Sequence, residues 1–168
     1  LRIGDKILTR FFIKKIDGFL AMTQKVLDDL KVFDKNSPKV LTPHPIYDNF
    51  GEIEPREKAI ESLKLNQDCR YILFFGLIRD YKGLDLLLEA FSANEIREKN
   101  IKLIIAGEYY SEQAPYKKLI EKYNLEQDII KVEKFIPDSE VHLYFNACDL
   151  VVQPYKSATQ SGVTQIAY

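Results

Sequence analysis

The sequence predicts an α/β protein built on a doubly wound parallel sheet. One observation is alternation: beyond about residue 53, short aliphatic and aromatic runs take turns with stretches whose apolar residues fall at helical spacing, the pattern of parallel strands joined by right-handed helical crossovers. The other is the stretch YILFFGLIRDYKGLDLLLEAF, residues 71–91. Its opening run, Tyr71–Phe75, is too short for a typical helix and apolar throughout, as a strand covered on both faces must be. Gly76 ends that run, a loop carrying Arg79 and Lys82 follows, and Gly83 leads into Leu84, Leu87, Leu88 and Phe91 on one helical face. A basic loop between a strand end and a helix start is a place to hold an anion, because unpaired N–H groups and the helix dipole favour phosphate there.

Bulk properties narrow the class. A chain of 168 residues has room for one domain or one and a half, and buries roughly 70% of its unfolded surface. With 24 basic against 25 acidic side chains, the net charge of −1 offers nothing for nucleic acid. The two cysteines, Cys69 and Cys148, have no CxxC partners and read as buried free thiols of a reducing compartment. No apolar run approaches a membrane span and no signal peptide is visible, so a cytoplasmic protein is expected.

In chain order, residues 2–16 form a basic amphipathic segment. Arg2, Lys6, Arg10 and Lys14 lie on one stripe and Ile3, Ile7, Leu8, Phe11 and Phe12 on another. Such a helix can pack its apolar stripe on a core or lie peripherally on an anionic membrane face, and the spacing leaves both open. Phe19–Met22 reads as a short strand, with Thr23 capping a helix from Gln24 to about Phe33 that turns Val26, Leu27 and Leu30 inward. Lys39–Leu41 is a second extended run. Thr42-Pro43-His44-Pro45 then excludes helix and marks a connector over residues 43–52, with residues 1–42 before it and one domain, residues 53–168, after it. His44 has no second ligand at metal spacing and reads as a hinge residue.

Past the connector, Pro55–Lys64 is expected to be helical, with Ala59, Ile60 and Leu63 on one face. The alternation then runs strand 71–75, helix 83–93, strand 101–106, helix 115–123, strand 129–132, helix 138–147 and strand 149–153. Asp138 reads as an N-cap and His142 as a surface residue. Ser161–Tyr168 reads as the first turns of a helix without a C-cap, so the chain is expected to be cut short, leaving an apolar surface that favours self-association.

Ligands of open α/β sheets sit outside the carboxyl ends of the strands. Four loops qualify: that of Arg79 and Lys82, that beginning Gly107-Glu108, that of Phe135-Ile136-Pro137-Asp138, and residues 155–162 with KSATQSG at their centre. The hydroxyls of Thr159 and Ser161 and the N–H groups around Gly162 can cradle a phosphate or sugar, or can simply make a strand-to-helix turn. GxGxxG after a strand, GxxxxGK[ST], GxSxG and HExxH are all absent, which argues against dehydrogenase, P-loop nucleotidase, α/β-hydrolase and zinc peptidase chemistry.

The segments FFGLIRDYKGLDLLLEAF, IKLIIAGE and VEKFIPDSEVHLYFNACDLVVQPY, in this order and spacing, resemble the nucleotide-sugar-binding, Rossmann-like half of GT-B glycosyltransferases of family 4. The likeness covers about residues 40–168, and residues 1–41 look like the end of the acceptor-binding half. It implies retaining, metal-independent transfer, without a cofactor, from a UDP-sugar or GDP-sugar to a polysaccharide or glycolipid acceptor in a cleft between two domains. By the same likeness Lys82 holds the donor diphosphate, and Phe135 and Ile136 belong to the loop that reads the base. The family's usual arginine falls at Leu77, and Arg79 is the natural substitute because its planar fork suits a phosphate. The family's two glutamates fall at Thr159 and near Ala167, so both acids are missing. Backbone N–H groups of Gln160, Ser161, Gly162 and Val163 are then expected to anchor phosphate and sugar. No catalytic acid or base is assigned, and a non-catalytic nucleotide-sugar-binding or scaffolding module of the same fold is the competing reading.

Overall fold

The computed structural model describes residues 3–97 and 99–168. It divides into two compact units, Leu1–Ile46 with Thr159–Gln165, and Tyr47–Ala158 with Ile166–Tyr168. The chain thus changes unit between Ile46 and Tyr47, and residues 159–165 group with the first unit.

In the smaller unit, helix α1 (Ile3–Ile13), strand β1 (Phe19–Ala21), helix α2 (Gln24–Phe33) and strand β2 (Lys39–Leu41) follow one another. β1 and β2 pair in parallel, Leu20 opposite Val40. The Thr23 hydroxyl accepts from the Val26 N–H at 3.3 Å and caps α2, satisfying one of the amides a helix start leaves open. Val26, Leu27 and Leu30 are half-buried, less than the inward positions the spacing predicts. Ile13 and Ala21 are buried, whereas Ile7, Leu8, Phe11 and Phe12 of α1 are exposed. Arg2 of the expected basic stripe lies outside the described residues, as do the side chains of Ile3 and Lys6.

The larger unit carries helix α3 (Arg56–Ser62), strand β3 (Arg70–Phe75), helices α4 (Leu84–Phe91) and α5 (Asn94–Arg97), and strand β4 (Ile101–Ala106). Helix α6 (Ala114–Lys122), strand β5 (Ile129–Val132), helix α7 (Asp138–Ala147) and strand β6 (Leu150–Val151) complete it, and α8 (Gly162–Ala167) ends the chain. Its four strands are all parallel, in the order β5-β4-β3-β6, with Leu73 opposite both Ile104 and Val151. This is the expected parallel α/β sheet.

Strand periodicity sends alternate residues of β3 to opposite faces, and each face is covered. Phe74 joins Leu84, Leu88, Phe91, Leu103 and Ile105 beneath α4 and α6. Tyr71 and Leu73 join Ile60, Ile104, Val141 and Tyr144 beneath α3 and α7. Each fully buried Leu or Ile contributes about 1.5–3 kcal/mol relative to exposure, so these two layers hold the strand ends in place. Asp149 secures the start of β3. Its carboxylate accepts from the Tyr71 N–H at 2.7 Å and faces Arg56 at 3.4 Å.

Several local expectations need correcting. The N-cap of α7 is Pro137 and no side chain caps it; Asp138 is already the first helical residue, and the Glu140 N–H closes the first turn on the Pro137 carbonyl at 2.8 Å. His142 is half-buried, not the open surface residue expected. The connector folds back over α7, Gly51 packs against the imidazole, and His142 Nε2 lies 3.8 Å from the Glu54 carboxylate. β6 has two residues, not five, and α3 stops at Ser62. Both cysteines are free, Cys69 buried and Cys148 half-buried, and burial followed by the neighbouring Asp149 charge pushes the Cys148 thiol up to about 12.

Candidate functional site

All strands of the larger sheet end on the same edge, and the loops that leave it build the site. Past Phe75 the chain turns at Gly76 (φ 93°), and the buried Ile78 forms a parallel bridge with Tyr109. The Ile78 N–H donates to the Glu108 carbonyl at 2.7 Å and the Tyr110 N–H to the Ile78 carbonyl at 2.9 Å. The first and second loops are therefore zipped together beyond the sheet proper.

Arg79 is extended, and a 3-10 turn, Asp80–Lys82, follows it. Gly83 then adopts φ 72° and starts α4. A Cβ at Gly83 would run into the Pro154 carbonyl, so the loop after β6 presses on the basic loop where only glycine leaves room. This turn tucks Lys82 inward until it is only 8% exposed. Its ammonium donates to the Phe75 carbonyl at a long 3.4 Å and lies 5.8 Å from the centre of the Tyr155 ring. Among the described residues it has no carboxylate partner. Burial, and secondarily the Arg79 charge, lower its pKa below the ordinary lysine value. The Arg79 guanidinium stacks 4.5 Å over the Tyr110 ring, while its buried Nε has no hydrogen-bond partner. Two cations thus converge at a strand end with donors to spare.

The carboxylates flanking this loop are already engaged. Lys156 Nζ lies 3.0 Å from Asp80 and 2.8 Å from Asp85, and its N–H donates to the Tyr81 carbonyl at 2.8 Å. Those two hydrogen bonds, Asp85 first, raise the Lys156 pKa. Lys156 therefore offsets two negative charges that would oppose an anionic ligand. Sequence reasoning passed over Lys156 and Tyr110; the available signals were a basic residue in the fourth loop and an exposed aromatic in the second.

Beside the cations lies a pocket of about 130 Å³ lined by Phe75, Gly76, Leu77, Gly107, Glu108, Phe135 and Ile136. Gly107 (φ 141°) has the Gly76 carbonyl where a Cβ would stand, and this close approach forms the pocket floor. Phe135 and Ile136 divide their work. The Phe135 ring is 63% exposed at the rim, whereas Ile136, 6% exposed, joins the core under α7 and offers the pocket only a wall and its backbone. Leu77 lines the same pocket with an apolar side chain.

Thr159 and Gln160 are exposed, and Ser161, Gly162 and Val163 are half-buried around the start of α8. They belong to the smaller unit, whereas Arg79, Lys82, Phe135 and Ile136 belong to the larger one. Among the described residues, no three His, Cys, Asp or Glu side chains group as metal ligands would, and no helix is long and apolar enough to cross a membrane.

The family model for glycosyl transferases group 1 matches residues 55–162, most of the chain. The chain belongs to this family. This group 1 chain is 30% identical over 106 residues to the lipopolysaccharide 1,2-N-acetylglucosaminetransferase of Salmonella typhimurium, covering 60% of itself and 28% of that protein. It is 30% identical over 98 residues to the GDP-mannose:glycolipid 4-beta-D-mannosyltransferase of Xanthomonas campestris, covering 57% of itself and 27% of that protein. Among solved structures, the sucrose-phosphate synthase of Thermosynechococcus elongatus superposes with a TM-score of 0.79 at 18% identity, over 95% of this chain and 40% of that one. That likeness shows the fold, an α/β sheet matching GT-B glycosyltransferase structures. The chain spans between a quarter and a half of the length of these relatives.

Proposed function

We propose that this chain is the donor-binding portion of a retaining, metal-independent glycosyltransferase of family 4. The intact protein transfers a sugar from a UDP- or GDP-sugar to a polysaccharide or lipid-linked glycan. One observation carries this reading: Lys82 is buried at the end of β3 with a neighbouring cation, Arg79, and among the described residues neither has a carboxylate partner. A lone buried ammonium is costly unless something anionic completes it, and a diphosphate supplies oxygens enough for both cations. The pocket beside them, walled by Phe75, Leu77, Ile136 and the open Phe135 ring, offers an apolar surface to a nucleobase. Residues Thr159, Gln160, Ser161, Gly162 and Val163 are assigned to the sugar and distal phosphate through their N–H groups. The activities named for the two bacterial relatives, one on lipopolysaccharide and one on a glycolipid, support an acceptor of that class. No protein cofactor or metal is needed, and work at the inner face of the membrane follows from such an acceptor.

A second reading has its own motivation. The family resemblance calls for glutamates at Thr159 and near Ala167, where this chain has none, so a module that binds nucleotide-sugar without transfer is the alternative. A thermal-shift screen of the intact protein with UDP, GDP, ADP and their sugars, followed by a transfer and hydrolysis assay with the donor that binds, separates the two. Stabilisation by a nucleoside diphosphate with sugar release supports the enzyme. Stabilisation without turnover supports the binding module, and no shift with any nucleotide defeats both.

A further inference from the structure

We infer that Tyr110 is a positioning residue that presents Arg79 to the donor diphosphate, an inference resting on the donor-site reading above. Arg79 sits in an extended segment just before the 3-10 turn, and its long side chain has four rotatable bonds to restrain. Restraint comes from the second loop. The Tyr110 ring lies 4.5 Å beneath the guanidinium, and the Tyr110 N–H bonded to the Ile78 carbonyl at 2.9 Å ties the ring's backbone to the residue preceding Arg79. A guanidinium held over a ring can still offer the N–H groups along its edges to a planar two-point contact with phosphate oxygens. Nε is buried and unbonded, an N–H already desolvated and waiting for an acceptor.

Arg79 lies past the zipped Ile78 in a separate stretch of loop, and a side chain there needs its own support to reach back to the strand end. Tyr110 is that support. It is 71% exposed, far more than core packing would leave it.

The test is isothermal calorimetry on the intact protein with UDP and GDP, and with uridine and guanosine as controls. Tyr110→Ala is expected to weaken the diphosphate about three- to tenfold, the range for a stacked cation at a partly exposed site, and to leave nucleoside binding unchanged. Tyr110→Phe keeps the aromatic face and is expected to bind like the parent. In an Arg79→Ala background, Tyr110→Ala should add nothing, because the residue acts only through the guanidinium. Equal affinity in Tyr110→Ala, the same loss in both backgrounds, or no loss in Arg79→Ala overturns the inference. If Lys82→Ala and Arg79→Ala weaken the diphosphate while Tyr110→Ala does not, only the role of Tyr110 falls. If neither nucleotide binds the parent protein, the donor-site reading falls and this inference with it.

Discussion

Exchanging Lys82 for methionine separates binding from stability, because the two should move in opposite directions. The methionine stem fills nearly the same space, so packing at this 8% exposed position is kept while the ammonium is removed. A charge-assisted hydrogen bond to a phosphate oxygen is worth about 1.5–3 kcal/mol. Since about 1.4 kcal/mol is a factor of ten, losing one such bond weakens a nucleoside diphosphate roughly 10- to 150-fold. Without ligand the sign reverses. The ammonium is desolvated and sits beside Arg79, and the long 3.4 Å bond to Phe75 and the Tyr155 ring 5.8 Å away are weak compensation, so removing it should raise the melting temperature. The pH dependence follows the same logic. The folded-state pKa lies below 10.5, so between the two values the unfolded chain holds a proton that the folded chain releases, and this lysine makes ligand-free stability rise with pH there. In the same window diphosphate affinity should fall as Lys82 loses its charge. Calorimetry and thermal melts of parent and Lys82→Met across that window read both effects. Unchanged diphosphate affinity would remove Lys82 from the site, and a lowered ligand-free melting temperature would refute the desolvation argument.

Three further outcomes are expected. Gly83→Ala places a methyl group against the Pro154 carbonyl at a left-handed residue and should cost about 2–4 kcal/mol in urea denaturation; a cost below about 0.5 kcal/mol would mean the loops are not clasped there. Asp149→Ala strands the Tyr71 N–H and should destabilise by about 1–3 kcal/mol, with Asp149→Asn recovering most of this because an acceptor oxygen remains. If Asn and Ala cost the same, the backbone bond is not what Asp149 contributes. Cys148, its thiol pushed up to about 12, should resist iodoacetamide at pH 8 in the folded protein and react at a free-thiol rate in urea. Rapid alkylation without denaturant would contradict its burial.

The architecture was legible because its causes are local. The runs at Ile101–Ala106 and Ile129–Val132 and the helical pattern at Asp138–Ala147 occupy the spans the sequence predicts, since continuous apolar residues and turn residues at their ends leave one register that buries them. The strand-loop-helix unit around Gly76–Gly83 was legible for the same reason. What escaped depends on segments far apart in the chain. The partial cover over His142 requires Gly51 and Glu54 to fold back over α7, and the 3-10 turn before Gly83 is shaped by Pro154. β6 is shorter than its apolar run because Leu150 and Val151 alone pair in register with β3, while Asp149 and Val152 on either side each add a single N–H bond to it.

The site divides along the same line. The sequence by itself determined that a basic loop with Arg79 and Lys82 leaves a buried strand beside a helix start, since residue type and spacing suffice for that. Only the tertiary structure decided that Lys82 is buried with no counter-charge among the described residues, that Lys156 takes up Asp80 and Asp85, that Arg79 rests on Tyr110, and that Ile136 serves the core while Phe135 stands open. Those outcomes hinge on how loops from three strands pack against each other, and pairwise distances between remote residues are set by the folded chain, not written in any one stretch of it.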